Sequence, residues 1–348
     1  MLDDLAQLQQ DDQQGDAPTR RDRPKRRRGR RILAALVSLV LLLAVGVGAY
    51  LLFLNETVAH NVTHENLLPA PSATAGAGSS QGQQLVQGAG VNILLIGSDA
   101  RPGETFSRSD VIMLMHVSQD RKKVYLIHFP RDMYVSIPGH GKNKINAAFA
   151  FGKTPLLVTT LQNMLGVKID HAALIGFEGF KRMTDAVGGV RVWAEEASDG
   201  KGNGGPVVIH KGWNYLNGEE ALGFVRERYE LSEGDISRGR RQQAFIKALM
   251  LKGLSKETIT NPITLAKFIS AGTENLTVDN GFDMGEIRSL GLSLRNVRGD
   301  DIVFITAPIT GFGMTPQGAS IDIVNEPLLK LMGEELQGDT MEDYVPRQ

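Results

Sequence analysis

The sequence contains no cysteine. That removes disulfides, Cys-ligated zinc, iron–sulfur clusters and thiol nucleophiles together, and leaves the redox compartment open. Aromatic residues make up only 6% of 348 residues, with two tryptophans. Net charge is nearly absent, 38 Lys and Arg against 39 Asp and Glu, so no global field recruits nucleic acid. No internal repeat or Walker A motif is present, so no P-loop nucleotide site is signalled. At about 150 residues per domain, the length suits one large domain with appendages, or two domains.

What is present is segregated. Residues 1–19 are polar and rich in Asp and Gln, a composition that cannot offset its ordering entropy, so 1–31 is expected to be a disordered cytoplasmic tail. Positions 20–31 hold nine basic residues, and from Ile32 to Leu54 no charge occurs. As a helix those 23 residues would measure about 35 Å, against a hydrocarbon core of about 30 Å. The run therefore reads as a transmembrane signal-anchor. The basic cluster before it places the N-terminus in the cytoplasm and the rest outside the cell membrane. Beyond Leu54 there are 29 basic and 33 acidic residues, so any anion site there must be local.

Residues 55–90, with Pro69, Pro71 and the run SATAGAGSSQGQQ, read as a flexible extracellular linker. A catalytic domain is expected over 91–340, with no further domain after residue 348. Val91–Ile96 predicts a buried strand, and Val111–Val117 with Lys123–Phe129 a hairpin. Helices are predicted over Thr154–Leu165, Phe177–Val187, Asn217–Tyr229 with an Asn cap, and Ser237–Leu254 with a Ser cap. Val190–Trp193 and Ile302–Ala307 read as strands, and Pro262–Ser270, Phe282–Val297 and Ile321–Leu336 as helices. The alternation predicts a single α/β or α+β domain of about 250 residues. His128 and the methionines Met113 and Met115 read as core, and Gly200–Gly205 as a flexible surface loop.

Arginines and aspartates cluster at breaks in this pattern: Gly97–Arg101, Arg108–Asp110, Phe129–Asp132, Val225–Arg228 and Gly234–Gln243. Arginine suits phosphate, because its planar guanidinium donates in a fork and keeps its charge. Asp99 and Asp110 beside a phosphate would need a divalent cation between them, and Mg²⁺ commonly takes one or two carboxylates plus phosphate oxygens. Equally, the arginines could form surface ion pairs with Glu227, Glu230, Glu233 and Asp235. Spacing alone leaves both readings open.

In order along the chain stand GSDAR, RSD, FPRD, KIN-x-AF, F-x-GF, D-x-VGGV, LNGEEAL, VRER and GD-x-x-R-x-x-RQQ. Behind a membrane anchor, this ordered set resembles the LytR–CpsA–Psr family of cell-wall enzymes, over residues 91–255 with family-like continuation to about 336. The resemblance implies an extracellular α/β/α domain, with a central mixed sheet flanked by helices, enclosing a polyprenyl chain. It also implies transfer of a glycopolymer such as teichoic acid or capsule from a polyprenyl-pyrophosphate carrier to peptidoglycan. Carried over by motif, Arg131, Arg226, Arg228, Arg238 and Asp235 would be catalytic. Arg108, Arg131, Arg226, Arg228, Arg238 and Gln242 would bind the pyrophosphate, with Arg108 and Asp235 orienting the arginines. Asp99 and Asp110 would hold Mg²⁺, with Mn²⁺ as the alternative ion. The family's frequent Tyr after KIN-x-A is Phe149 here, so a hydroxyl contact is missing there. Two other readings use the same residues: a hydrolase with water as acceptor, and a membrane-tethered sensor of lipid intermediates without turnover.

Overall fold

The structure, a computed structural model, describes residues 49–50, 52–54, 56–70, 85, 87–98 and 109–344. The chain divides after Phe53 into two compact units, and the account below concerns the one beginning at Leu54. The expected tail 1–31 and nearly all of the apolar run 32–54 lie outside the described residues. Among these, no helix is long and apolar enough to cross a membrane.

From the N-terminus come β1 (Thr63–Glu65), β2 (Val91–Ser98), β3 (Ser109–Val117), β4 (Val124–His128), β5 (Tyr134–Ile137), β6 (Gly141–Lys144) and α1 (Ile145–Leu165). Then follow β7 (His171–Gly176), α2 (Phe177–Ala186), β8 (Val190–Ala194), β9 (Gly212–Leu216), α3 (Gly218–Arg226) and α4 (Asp235–Gly253). The remainder comprises α5 (Lys256–Thr260), α6 (Pro262–Thr273), β10 (Leu276–Asp279), α7 (Met284–Ser293) and β11 (Ile302–Thr306). Last are β12 (Ile309–Met314), β13 (Ser320–Val324), α8 (Glu326–Gly338) and α9 (Met341–Tyr344).

Seven strands form one mixed sheet in the order β1-β10-β7-β2-β3-β4-β11. The predicted hairpin lies within it: β3 pairs antiparallel with β4, Leu114 opposite Ile127, while the central β2 runs parallel to β7. Side chains alternate across the sheet. Ile112, Leu114 and Ile127 therefore enter one core under α1 and α8, and Val111, Met113 and Leu126 enter another under α3 and α4. Both faces are covered, which gives the expected α/β/α layering. Met113 is core, as predicted.

Several boundaries differ from the sequence reading. Part of the supposed linker is built into the fold: residues 56–61 are helical, β1 pairs parallel with β10, and Leu67 is buried. The helix predicted from Thr154 begins at Ile145. Its halves meet at a kink where Gly152 and Lys153 leave helical geometry, two residues before Pro155, so only the second half shows an unbroken pattern. The residues expected to open one helix over Ile321–Leu336 instead form β13, paired antiparallel with β12, and Asn325 caps a helix that starts at Glu326. The helix expected over Phe282–Val297 is α7 followed by a short 3₁₀ turn, Leu294–Asn296.

Candidate active site

The helix α3 forms as its sequence demands. The Asn217 side chain accepts from the Glu220 N–H, and the Glu220 carboxylate accepts in return from the Asn217 N–H. It ends at Arg226 rather than continuing to Tyr229, because Glu227 is already extended. Glu227 is buried, and its carboxylate accepts the N–H groups of Gly204 (2.9 Å), Arg228 (2.8 Å) and Glu230 (3.0 Å). Burial alone would raise its pKa, but these backbone donors hold it below the usual carboxylate value.

Glu230 accepts from Asp199 and Gly202, and Asn203 Oδ1 accepts from the Arg228 N–H at 2.8 Å. The glycine-rich loop is thus stitched across the arginine motif, which corrects its reading as a flexible surface loop. A Cβ at Gly202 would meet the Glu227 carboxylate at 2.3 Å, so the close approach requires glycine there.

The helix α4 starts at Asp235, with Gly234 as its cap, rather than with the predicted Ser237 cap. Its Arg-Gln-Gln run divides labour by helical position. Arg241 donates to the Glu196 carbonyl at 2.8 Å and to Ser198 Oγ at 3.1 Å, and Gln243 Nε2 donates to the Ile305 carbonyl at 2.9 Å. These three bonds pin the helix, while Gln242 turns to a small cavity. Gly239 lets the helix settle on the sheet, since a Cβ there would lie 2.3 Å from the ring of His128. His128 is fully enclosed, and burial followed by the nearby Arg238 charge pushes its pKa down to about 4. It is a neutral core residue, as the sequence suggested.

Two cavities are linked through Asp235, which lines the larger and binds Arg238 of the smaller. The larger, about 720 Å³, is lined by Arg131, Asp132, Lys144, Arg228, Asp235 and Asp322, among others. The smaller, about 140 Å³, is lined by Phe177, Asn203, Val225, Arg226, Arg238 and Gln242. Asp235 Oδ1 accepts from Arg238 Nη2 at 2.5 Å and lies 3.3 Å from Arg131 Nε. Arg226 lies over the Phe177 ring at 4.8 Å and Arg228 over Tyr229 at 5.0 Å. The structure therefore brings Arg131, Arg226, Arg228, Arg238, Asp235 and Gln242 to one place.

Among the described residues the competing surface-pair reading is met by Arg240, which binds Glu195 and Glu233, whereas Asp235 pairs with Arg131 and Arg238. Arg108 and Asp99 lie outside the described residues. Asp110 is the second residue of β3, and Ser109 before it pairs with Ser98, the residue that precedes Asp99 in sequence. A two-carboxylate donor set suits Mg²⁺ that completes its shell with phosphate and water. Among the described residues no cluster of three or more His, Asp or Glu could hold a metal.

Sequence reasoning missed four residues here. Lys144 Nζ binds Asp132 at 2.8 Å, and both sat inside quoted motifs, FPRD and KIN. Asn203 was set aside with its loop. Asp322 gave no signal, since β13 pairs locally with β12 and reaches the site through long-range contacts such as the Asp322 N–H, which donates to the Asp132 carbonyl at 2.9 Å. The Asp322 side chain is buried, with Oδ2 lacking a partner among the described residues. Burial, then the charges of Asp132 and Asp235, push its pKa up to about 6, against a pull from Lys144.

Known proteins share this fold and resemble this sequence. The probable cell wall biosynthesis protein LcpB of Corynebacterium glutamicum is 36% identical over 244 residues, 66% of this chain and 57% of that protein. The chain thus spans little more than half of that relative. The polyisoprenyl-teichoic acid–peptidoglycan teichoic acid transferase TagU of Oceanobacillus iheyensis is 30% identical over 330 residues, 93% of this chain and 98% of that one. Among solved structures, TagT bound to LI-WTA superposes with a TM-score of 0.61 at 26% identity, covering 80% of this chain and 99% of the other. The LytR_cpsA_psr family model matches residues 54–338, so the domain begins well before the expected residue 91, and the chain belongs to the LytR_cpsA_psr family.

Proposed function

We propose that the chain transfers an anionic glycopolymer from a polyprenyl-pyrophosphate carrier to peptidoglycan, forming a phosphodiester and releasing polyprenyl phosphate. The carrying observation is the bridge that Asp235 makes between the two cavities, with Arg131 on one side and Arg238 on the other. A pyrophosphate spanning that bridge meets arginines at both phosphates. The smaller cavity also offers Phe177 and Val225, a mixed apolar and cationic lining that suits the junction of a hydrocarbon chain with a phosphate. The name of the relative TagU, a polyisoprenyl-linked transferase, supports the same substrate class.

In the reaction, an acceptor hydroxyl oxygen attacks the phosphorus that carries the glycan. A new P–O bond forms, the bridging P–O bond breaks, and its electron pair leaves on polyprenyl phosphate. The protein's part is positioning and charge stabilisation. Arg131, Arg226, Arg228 and Arg238 neutralise the phosphoryl oxygens, Asp235 fixes two of them, and Gln242 lines the smaller cavity beside them. The hydroxyl proton passes to Asp322 in the larger cavity, a carboxylate whose raised pKa suits a base near neutral pH. Mg²⁺ held by Asp99 and Asp110 would supply further neutralisation of phosphate charge. The apolar run 32–54 would anchor the enzyme in the bilayer that holds its donor, with the domain outside, raising their effective concentration.

The test uses the full chain in detergent micelles, a synthetic polyprenyl-pyrophosphate glycan and a peptidoglycan oligomer, with and without Mg²⁺, read by mass spectrometry. A phosphodiester-linked product is expected, lost on chelation and restored by Mg²⁺. Arg131→Ala and Arg228→Ala should abolish it with the fold intact. Unchanged activity in both variants would overturn the site.

A further inference from the structure

The hairpin of β8 and β9 turns its apolar alternate residues inward: Val190, Val192 and Leu216 are buried in the core. Its outer face carries Arg191 opposite Tyr215 and Trp193 opposite Trp213. Trp193 is 48% exposed, Trp213 58% and Tyr215 64%. A half-buried antiparallel sheet ordinarily shows polar residues to water, and three large aromatics on such a face mark a binding surface. The two tryptophans are the only ones in the chain.

Their rings meet edge to face at 5.4 Å, and the Arg191 guanidinium lies 4.4 Å over Trp213. They form one wall of a cavity of about 590 Å³, whose facing wall includes Ser237, Arg240 and Lys247 of α4. The cations here are already engaged. Arg240 binds Glu195 and Glu233, Lys247 sits 5.6 Å over Phe304, and Glu195 and Glu196 add negative charge. Arg191 and Arg241 line it too, Arg241 being held by the Glu196 carbonyl and Ser198 Oγ, so the groove is an aromatic platform whose four cations are already engaged. It matches uncharged sugar rings, whose C–H faces stack on indole, rather than a polyanion. Ser237 neighbours Arg238 in sequence but faces the groove, so the two sites are separated by about one helix diameter, roughly 10 Å.

We propose that this groove holds the glycan strand of the peptidoglycan acceptor, with its N-acetylated sugar rings stacked on Trp193 and Trp213. The inference rests on the transferase reading and names the seat of its second substrate.

Because both tryptophans lie in the groove, intrinsic emission of the full chain reports occupancy without any need for turnover. Titration with soluble, uncross-linked peptidoglycan oligosaccharides is expected to give a saturable blue shift. Purified teichoic acid should give none at equal sugar concentration. Trp213→Ala should weaken binding at least tenfold, Trp213→Tyr should retain most of it, and Arg131→Ala should leave it unchanged. In the transfer assay, Trp193→Ala should raise KM for the acceptor about tenfold with donor KM unchanged. A shift with teichoic acid alone, or none with peptidoglycan oligosaccharides, overturns the proposal. If the oligosaccharides saturate the emission while the assay yields only free glycan phosphate, the groove stands and the transferase reading falls.

Discussion

The Asp235 carboxylate lies 3.3 Å from Nε of Arg131, closing the gap between the start of α4 and the loop after β4. The same oxygen accepts from Arg238, so one acid touches two of the arginines that the proposal assigns to phosphate. Asp235→Asn should leave both arginines present but released, lowering kcat/KM for the donor by about 10²-fold or more. Steady-state kinetics with the donor varied checks this. Activity within threefold of the parent would show that the arginines are held by other means.

Gly239→Ala should behave against helix propensity. A Gly to Ala change inside an exposed helix gains about 1 kcal/mol, but here the added methyl meets the His128 ring at 2.3 Å. Overpacking of this kind costs about 1–3 kcal/mol. Thermal unfolding should show a lower Tm, and His128→Ala in the same chain should recover part of the loss.

The carboxyl of Asp322 ties stability and activity to pH in opposite senses. Its pKa is about 6 in the folded chain against 3.8 for an ordinary Asp, so the native state binds the extra proton between those values. Stability from this group is full below about pH 4 and is lost as pH rises to about 6, whereas a base is active only once deprotonated. Asp322→Asn should therefore raise stability at pH 7 by on the order of 1–3 kcal/mol. It should also remove the rise in kcat near pH 6. Chemical denaturation and a pH–rate profile on the same variant separate the two effects.

Glu227→Gln should loosen the loop that crosses the arginine motif. Amide exchange at Gly204, Arg228 and Glu230, whose N–H groups bond this carboxylate, should quicken by about tenfold. The pKa of Glu227 is depressed below 4.5, so its stabilisation is present above that value and fades as acid lowers the pH through the folded pKa.

The sequence exposed what is periodic or motif-bound. The β3–β4 hairpin, the Asn217 cap and the arginine set were legible because alternation, capping chemistry and motif order are local. What stayed hidden depends on long-range approach. Asp322 reaches the site through a backbone bond to Asp132, 190 positions earlier in the numbering. The linker reading failed for the stretch around residues 56–67 because β1 pairs with β10, more than 200 residues away. Glu227 looked like a surface partner for arginine, and only the folded loop shows it accepting backbone N–H groups. The two tryptophans sit on opposite strands of a hairpin whose loop spans residues 195–211, so nothing in the linear order pairs them.

The central claim is transfer to a sugar hydroxyl rather than to water. Running the reaction in ¹⁸O-water with donor, peptidoglycan oligomer and Mg²⁺ tests it most directly. The account predicts a phosphodiester-linked product free of ¹⁸O and one polyprenyl phosphate released per bond formed. Glycan phosphate carrying ¹⁸O as the main product would contradict it.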